Sequence, residues 1–179
     1  MLKRIGDAFF RCLDYVLAFL LGSMAIMVFV NVVLRYTANS GIPISEELSR
    51  FAFVWLTFIG AVVAHNHHLH MGMETLVAQL GRRGRLIMMG ASNLLIIYVS
   101  AVLLVGAWKQ VPINAAMKAP VSGVSMAWVY GVGVFAAAGI ILVTTERLFR
   151  LLTGRITEHE INEFAGEKLT PEELAERAT

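Results

Sequence analysis

Charge is scarce in this chain of 179 residues. Asp, Glu, Lys and Arg make up 16% of it, against about 25% in soluble domains. Four long apolar stretches, roughly 14–34, 48–64, 86–108 and 124–143, hold no acidic or basic residue near their middles. Ionisable residues inside a bilayer mark ion and proton paths, so their absence argues against a transporter that works alone. No pair of broken helices of the kind that builds a midplane substrate site is visible either. Cysteine occurs once, at Cys12, which excludes an internal disulfide and a cysteine metal cluster. Histidine is missing from the middle of every apolar stretch, whereas a haem-carrying membrane subunit needs axial ligands there. A net charge of +2 is too small to suggest nucleic-acid binding.

What the chain does have is hydrocarbon. The hydrophobic fraction is 57% and the mean hydropathy +0.67. Each apolar stretch comes near the ~20 residues that cross a ~30 Å hydrocarbon core, the second being a little short. Only helices and closed barrels satisfy their backbone groups in lipid, and the alternating ~10-residue strands of a barrel are not visible. The expected fold is therefore all-α, an integral membrane protein with four transmembrane helices. Residues 1–155 are expected to form one membrane domain, and 156–179 a polar cytoplasmic tail. Four crossings leave no room for a soluble catalytic domain, so neither an enzyme nor a cofactor site is expected. The first apolar run follows a basic start and is too long for a signal-peptide core, which predicts an uncleaved first span.

Basic residues set the expected orientation. Lys3, Arg4, Arg11, Arg82, Arg83, Arg85, Arg147, Arg150 and Arg155 fall on one side, and Arg35, Arg50, Lys109 and Lys118 on the other. The positive-inside rule then predicts both termini in the cytoplasm. Between the second and third spans, Met73, Leu76, Val77 and Leu80 form a helical stripe. That spacing predicts a short amphipathic helix lying in the cytoplasmic interface.

The first outer loop reads as a turn at Gly41 and Pro43 followed by a helix start. Ser45 is placed to cap that helix, and Glu46 and Glu47 suit the positive end of its dipole. Glu46 and Arg50 stand four apart in the favourable order for an ion pair. Arg35, Glu46, Glu47 and Arg50 thus cluster at the outer interface, where they serve either headgroup anchoring or docking of a partner. Trp55, deeper in the second span, fits core filling or a partner contact. The second outer loop, with Pro112, Pro120 and Gly123, is expected to be irregular at both ends. In the fourth span Gly133 and Ala137 form a small-xxx-small pair, for close packing within the bundle or against a partner. Asn31, Asn93 and Ser100 read as helix–helix hydrogen bonds.

His65, His67, His68 and His70 are the most tempting ligand set. Their offsets do not give the i, i+4 spacing that puts two ligands on one helix face, and the nearest carboxylate is Glu74. A polar collar at the cytoplasmic headgroups accounts for them, and no metal site is expected.

One segment carries a family pattern: "NVVLRYTANSGIPISEELSRFAFVWLTFIGAVVAHNHHLHMGMETL". It resembles the small membrane subunit of tripartite ATP-independent periplasmic (TRAP) transporters, the DctQ-like family. The matching features are Arg35 at the end of the first span, the Glu46–Glu47 pair, Arg50, and "FVWLTFIGA" with Gly60. "HMGMETL" resembles the family's His-x-x-acidic-Leu region, with Glu74 one position later than usual. "PVSGVSMAWVYGVGV" is similar to the family's second outer loop. The resemblance covers about residues 10–150, and no role is carried onto His65, His67 or His68. It implies an accessory subunit of the inner membrane that binds a large multi-span DctM-like permease. A periplasmic DctP-like binding protein would deliver an organic acid, and a sodium gradient would drive import. The alternative from the residues alone is a self-contained homo-oligomeric module, a channel or small exporter. That alternative needs a polar stripe along one span, and the sequence shows none.

Overall fold

The structure, a computed structural model, describes residues 2–66 and 81–153. The described residues are helical apart from turns, loops and one isolated bridge. Among the described residues, five helices follow in order: α1 (Leu2–Thr37), α2 (Pro43–Asn66), α3 (Arg82–Ala115), α4 (Met126–Tyr130) and α5 (Val132–Leu152). Four candidate spans result, because α4 and α5 together make the last one, Met126–Leu152. The all-α, four-span expectation holds. The stripe at Met73–Leu80 and the histidines at 67, 68 and 70 lie outside the described residues, as does the tail from 154 onward.

The helices overrun the predicted spans. α1 has 36 residues and α3 has 34, about 50 Å each at 1.5 Å per residue. That exceeds the ~30 Å core, so both extend beyond it. α3 continues past Trp108 and through Pro112, where a loop was expected. A proline inside a membrane helix is tolerated when neighbouring groups take up the freed backbone. α1 ends in a turn where Asn39 adopts φ +49° and the Ser40 N–H reaches back to the Leu34 carbonyl at 3.4 Å. Asparagine is among the few side chains that accept this left-handed position. The α3–α4 connection is a tight turn: Lys118 bridges Ser125, Ala119 N–H donates to Val124 O at 2.8 Å, and Gly123 sits at φ +71°.

The packing order is a row. α1 lies on α2, α2 on α5, and α5 on α3. A compact square bundle would bury every helix on two sides, but among the described residues α1 packs chiefly on α2. Its face away from α2 is open, with Phe19, Ile26 and Phe29 each about two-thirds exposed or more. Leu13, Ile59, Val63 and Val132 form a buried cluster, and Trp55 and Phe58 pack against it. Trp55 therefore fills space between helices of this chain.

Small residues let the row close. Ala136 and Ala137 are almost fully buried, and Gly133 is buried beside Phe58 and Ala107, whose atoms lie 3.6–3.7 Å from where its Cβ would stand. Gly133 and Ala137 thus sit inside the α2–α5–α3 seam. The tightest approach is Gly139, where a Cβ would come to 3.1 Å from Val62 Cγ1. Gly139→Leu is expected to destabilise the protein by about 1–3 kcal/mol, the usual range for overpacking. Gly22→Leu, on the open face of α1 with nothing within 4 Å, is expected to be neutral. Thermal unfolding of the two variants in detergent checks both.

Candidate functional site

Two polar clusters stand out, one at each end of the helices that make the row. The first joins the α1–α2 corner to the α3–α4 loop. Asn31, buried on α1, accepts a hydrogen bond from the Ile42 N–H at 2.7 Å on Oδ1 and donates from Nδ2 to Glu46 Oε1 at 3.0 Å. Arg35, one turn further on, pairs with the same Glu46 oxygen. Ser45 donates to the Met27 carbonyl at 3.0 Å. Two consecutive residues at the start of α2 thus reach across to α1 and fix the angle of the corner.

This differs from the expectation in two ways. Ser45 lies within the helix rather than capping it, because α2 already begins at Pro43. Proline suits that first position, where its missing N–H costs nothing. Glu46 turns to Arg35 and Asn31 instead of Arg50, which is exposed. Two donors on a neighbouring helix outcompete one flexible i, i+4 partner, which is worth only about 0.3–0.5 kcal/mol.

Glu47 points the other way and is buried. Its carboxylate accepts from the Val121 N–H at 3.0 Å, the Ser122 N–H at 2.8 Å and the Ser122 hydroxyl. Two backbone donors and a hydroxyl converging on one carboxylate form a charge-assisted clamp. It ties α2 to the tip of a loop more than seventy positions away. Neighbouring acids therefore have separate tasks: Glu46 sets the α1–α2 corner and Glu47 holds the α3–α4 loop. Arg35, Glu46 and Arg50 remain exposed on that face.

The second cluster lies at the opposite end, between α2 and α5. His65 is 2% exposed and Thr144 fully buried. His65 Nε2 and Thr144 Oγ1 are 2.7 Å apart, and the same hydroxyl donates to the Ile140 carbonyl at 2.7 Å. A hydroxyl has one proton to give, so Nε2 carries the hydrogen and donates to Thr144. Arg147 donates to the carbonyls of His65 and Asn66, 2.9 Å each. These are the last carbonyls of α2, the negative end of its dipole, where a cation is favourable. His65 is thus part of the packed interior and not of a collar facing the headgroups. The sequence reading missed this cluster. Its one signal was a basic residue, Arg147, a full turn inside the apolar fourth span's continuation. Among the described residues no group of three His, Cys, Asp or Glu is placed to hold a metal.

Asn31 makes the interhelical bonds expected of it. Asn93 and Ser100 are buried on α3, and the Asn93 amide nitrogen has no hydrogen-bond partner among the described residues. Asn31, Ser45, Glu47, His65, Thr144 and Arg147 each hold one element of this chain against another. None is arranged as nucleophile, base or ligand.

A sequence profile for tripartite ATP-independent periplasmic transporters, DctQ component, matches residues 24–154. Two Haemophilus influenzae proteins named as TRAP transporter small permeases are similar. One is 35% identical over 86% of this chain and 93% of its own length. The other is 26% identical over 74% and 81%. A Vibrio cholerae C4-dicarboxylate TRAP transporter small permease protein, DctQ, is 29% identical over 59% of this chain and 46% of that one. The matched region takes in both polar clusters and all but the start of the row of spans. The chain belongs to the DctQ family of TRAP transporter small permease subunits, and is a multi-pass membrane component of a transporter and not an enzyme.

Proposed function

We propose that this chain is a non-catalytic scaffold subunit of a sodium-driven TRAP transporter in the bacterial inner membrane. A large DctM-like permease carries substrate and sodium, and a periplasmic DctP-like protein delivers an organic acid. The acid is a C4-dicarboxylate, as in the name of the Vibrio relative, or another carboxylate such as sialic acid. Both termini of this subunit face the cytoplasm. The outer face then carries Arg35, Glu46 and Arg50 as contacts to partner or lipid headgroups.

The observation that carries this reading is the row. Among the described residues the helices stand side by side and enclose no polar path, and the buried polar groups of the two clusters tie helices of the row together. Such a wall widens and stiffens a neighbour; it does not transport by itself. The test is copurification from the native operon with an affinity tag, read by mass spectrometry. A multi-span permease recovered at equal stoichiometry is the expected result. Recovery of this chain alone, as a defined homo-oligomer, would turn the reading to a self-contained channel or exporter.

The outer charges give a second expectation. Rim charges act on association more than on stability. The pair Arg35→Glu with Arg50→Glu is expected to lower uptake several-fold while membrane insertion and protein level stay unchanged. Full uptake in the double variant would remove these residues from docking.

A further inference from the structure

A groove of about 570 Å³ runs along the seam between α3 and the α4–α5 unit. Its deep end is walled by Phe58, Val102 and Leu103, all apolar. Its end toward the α3–α4 loop carries Gln110, Asn114 and Tyr130. From Val102 to Asn114 the groove follows α3 for about 18 Å, at 1.5 Å per residue. Dividing the volume by that length gives a mean section of about 30 Å² for the centre of a water-sized sphere, so the slot itself is about 9 Å across, wider than one acyl chain and narrower than a helix with its side chains, about 10–12 Å. The slot therefore admits an extended hydrocarbon chain along its floor.

Polarity along the slot matches the same occupant. It is apolar toward the middle of the membrane and offers two amides and a phenol at headgroup level. Lys109, exposed beside Gln110, adds a cation at that level. A phospholipid has the complementary gradient: acyl chain, then ester carbonyls, then phosphate. We propose that this groove binds one acyl chain of a glycerophospholipid, with Gln110, Asn114 and Tyr130 holding its glycerol–phosphate region. The lipid would complete the α3 side of the row, where Gly106 and Ala107 leave the wall thin.

Gly106 makes the test clean. A side chain there meets nothing within 4 Å, so Gly106→Leu fills the slot without disturbing the fold. The protein, with whatever permease accompanies it, is purified in mild detergent. Bound phospholipid is counted by native mass spectrometry and by extraction. The expected result is one retained phospholipid per chain in the wild type and about tenfold weaker retention in Gly106→Leu, with the unfolding midpoint unchanged. A wild type that retains none, or a Gly106→Leu variant that retains as much, overturns the proposal. So does a variant that loses the permease while keeping its phospholipid, which would give the groove to a partner side chain. If lipid and permease fall together, Asn114→Leu decides, because it leaves the slot open. Lower phospholipid with the permease still bound supports the site, and unchanged phospholipid overturns it.

Discussion

Arg147→Leu is expected to lower the unfolding midpoint of the detergent-solubilised protein more than any other replacement where the end of α2 meets α5. The guanidinium is nine-tenths buried and makes two hydrogen bonds of 2.9 Å to the terminal carbonyls of α2. Leucine keeps the bulk and removes both donors. Each buried carbonyl left unpaired costs about 1–3 kcal/mol, so the expected loss is roughly 2–5 kcal/mol. Both bonds come from the one terminal nitrogen Nη2, so Arg147→Lys keeps the charge near the helix terminus but holds its donor nitrogen on a shorter side chain. It should fall between wild type and Leu. Thr144→Val is the contrasting variant. It deprives His65 Nε2 of its acceptor, yet hydrogen bonds between membrane helices average only about 0.6 kcal/mol. The order wild type, Thr144→Val, Arg147→Lys, Arg147→Leu therefore follows from charge and from the reach of the donor nitrogen. An Arg147→Leu protein as stable as wild type would mean that water, not Arg147, satisfies the end of α2.

These side chains also show where the sequence stopped being informative. Four spans and an all-α fold were legible because lipid imposes length and composition on every crossing, and nothing in the chain conflicts with that. The family was legible because the order and spacing of Arg35, the Glu46–Glu47 pair and Arg50 resemble the pattern of the DctQ-like subunits. The close packing at Gly133 and Ala137 was visible as one of two readings, since a small residue says that something approaches but not what. Rotation about the helix axis was not legible. Whether His65 faces lipid, headgroups or α5 depends on the crossing of α2 and α5, which no local pattern encodes. Arg147 was counted as a topology charge for the same reason: its partners are carbonyls, which every residue has.

The outer corner failed in a more instructive way. The spacing of Glu46 and Arg50 satisfies a helical rule, but that rule describes an isolated helix. Once α1 lies alongside, Asn31 and Arg35 offer Glu46 a geometry already fixed by packing. Arg50 is left exposed, and for that reason it is available to a partner. The break at Gly131 was likewise hidden within one apolar run. A Cβ there would stand 2.5 Å from the Ala127 carbonyl oxygen, so glycine is what permits α4 to end and α5 to begin without leaving the membrane.

Glu47→Ala is expected to free the α3–α4 loop, and hydrogen exchange on peptides covering 117–125 is the measurement. In the native protein the Val121 and Ser122 amides both donate to this one carboxylate. The loop is otherwise closed on itself, by the bridge between Lys118 and Ser125 and the backbone bonds of its turn. Removing the carboxylate should abolish protection at those two amides and leave α2 and α3 unchanged. Glu47→Gln tests whether the acceptor count or only the shape matters. An amide replaces one acceptor oxygen with an NH₂ group, which would face backbone donors that now point at oxygen. Gln should therefore lose most of the protection, although it is nearly isosteric. Glu46→Ala is the control one position away. Its pair with Arg35 is exposed, and exposed pairs contribute about 0–1 kcal/mol, so the loop should keep its protection. If Glu47→Ala and Glu46→Ala exchange alike at 121 and 122, the clamp does not hold the loop in solution. If only Glu47→Ala loosens it and uptake falls with it, the ordered loop itself belongs to the surface that the transporter's other components use.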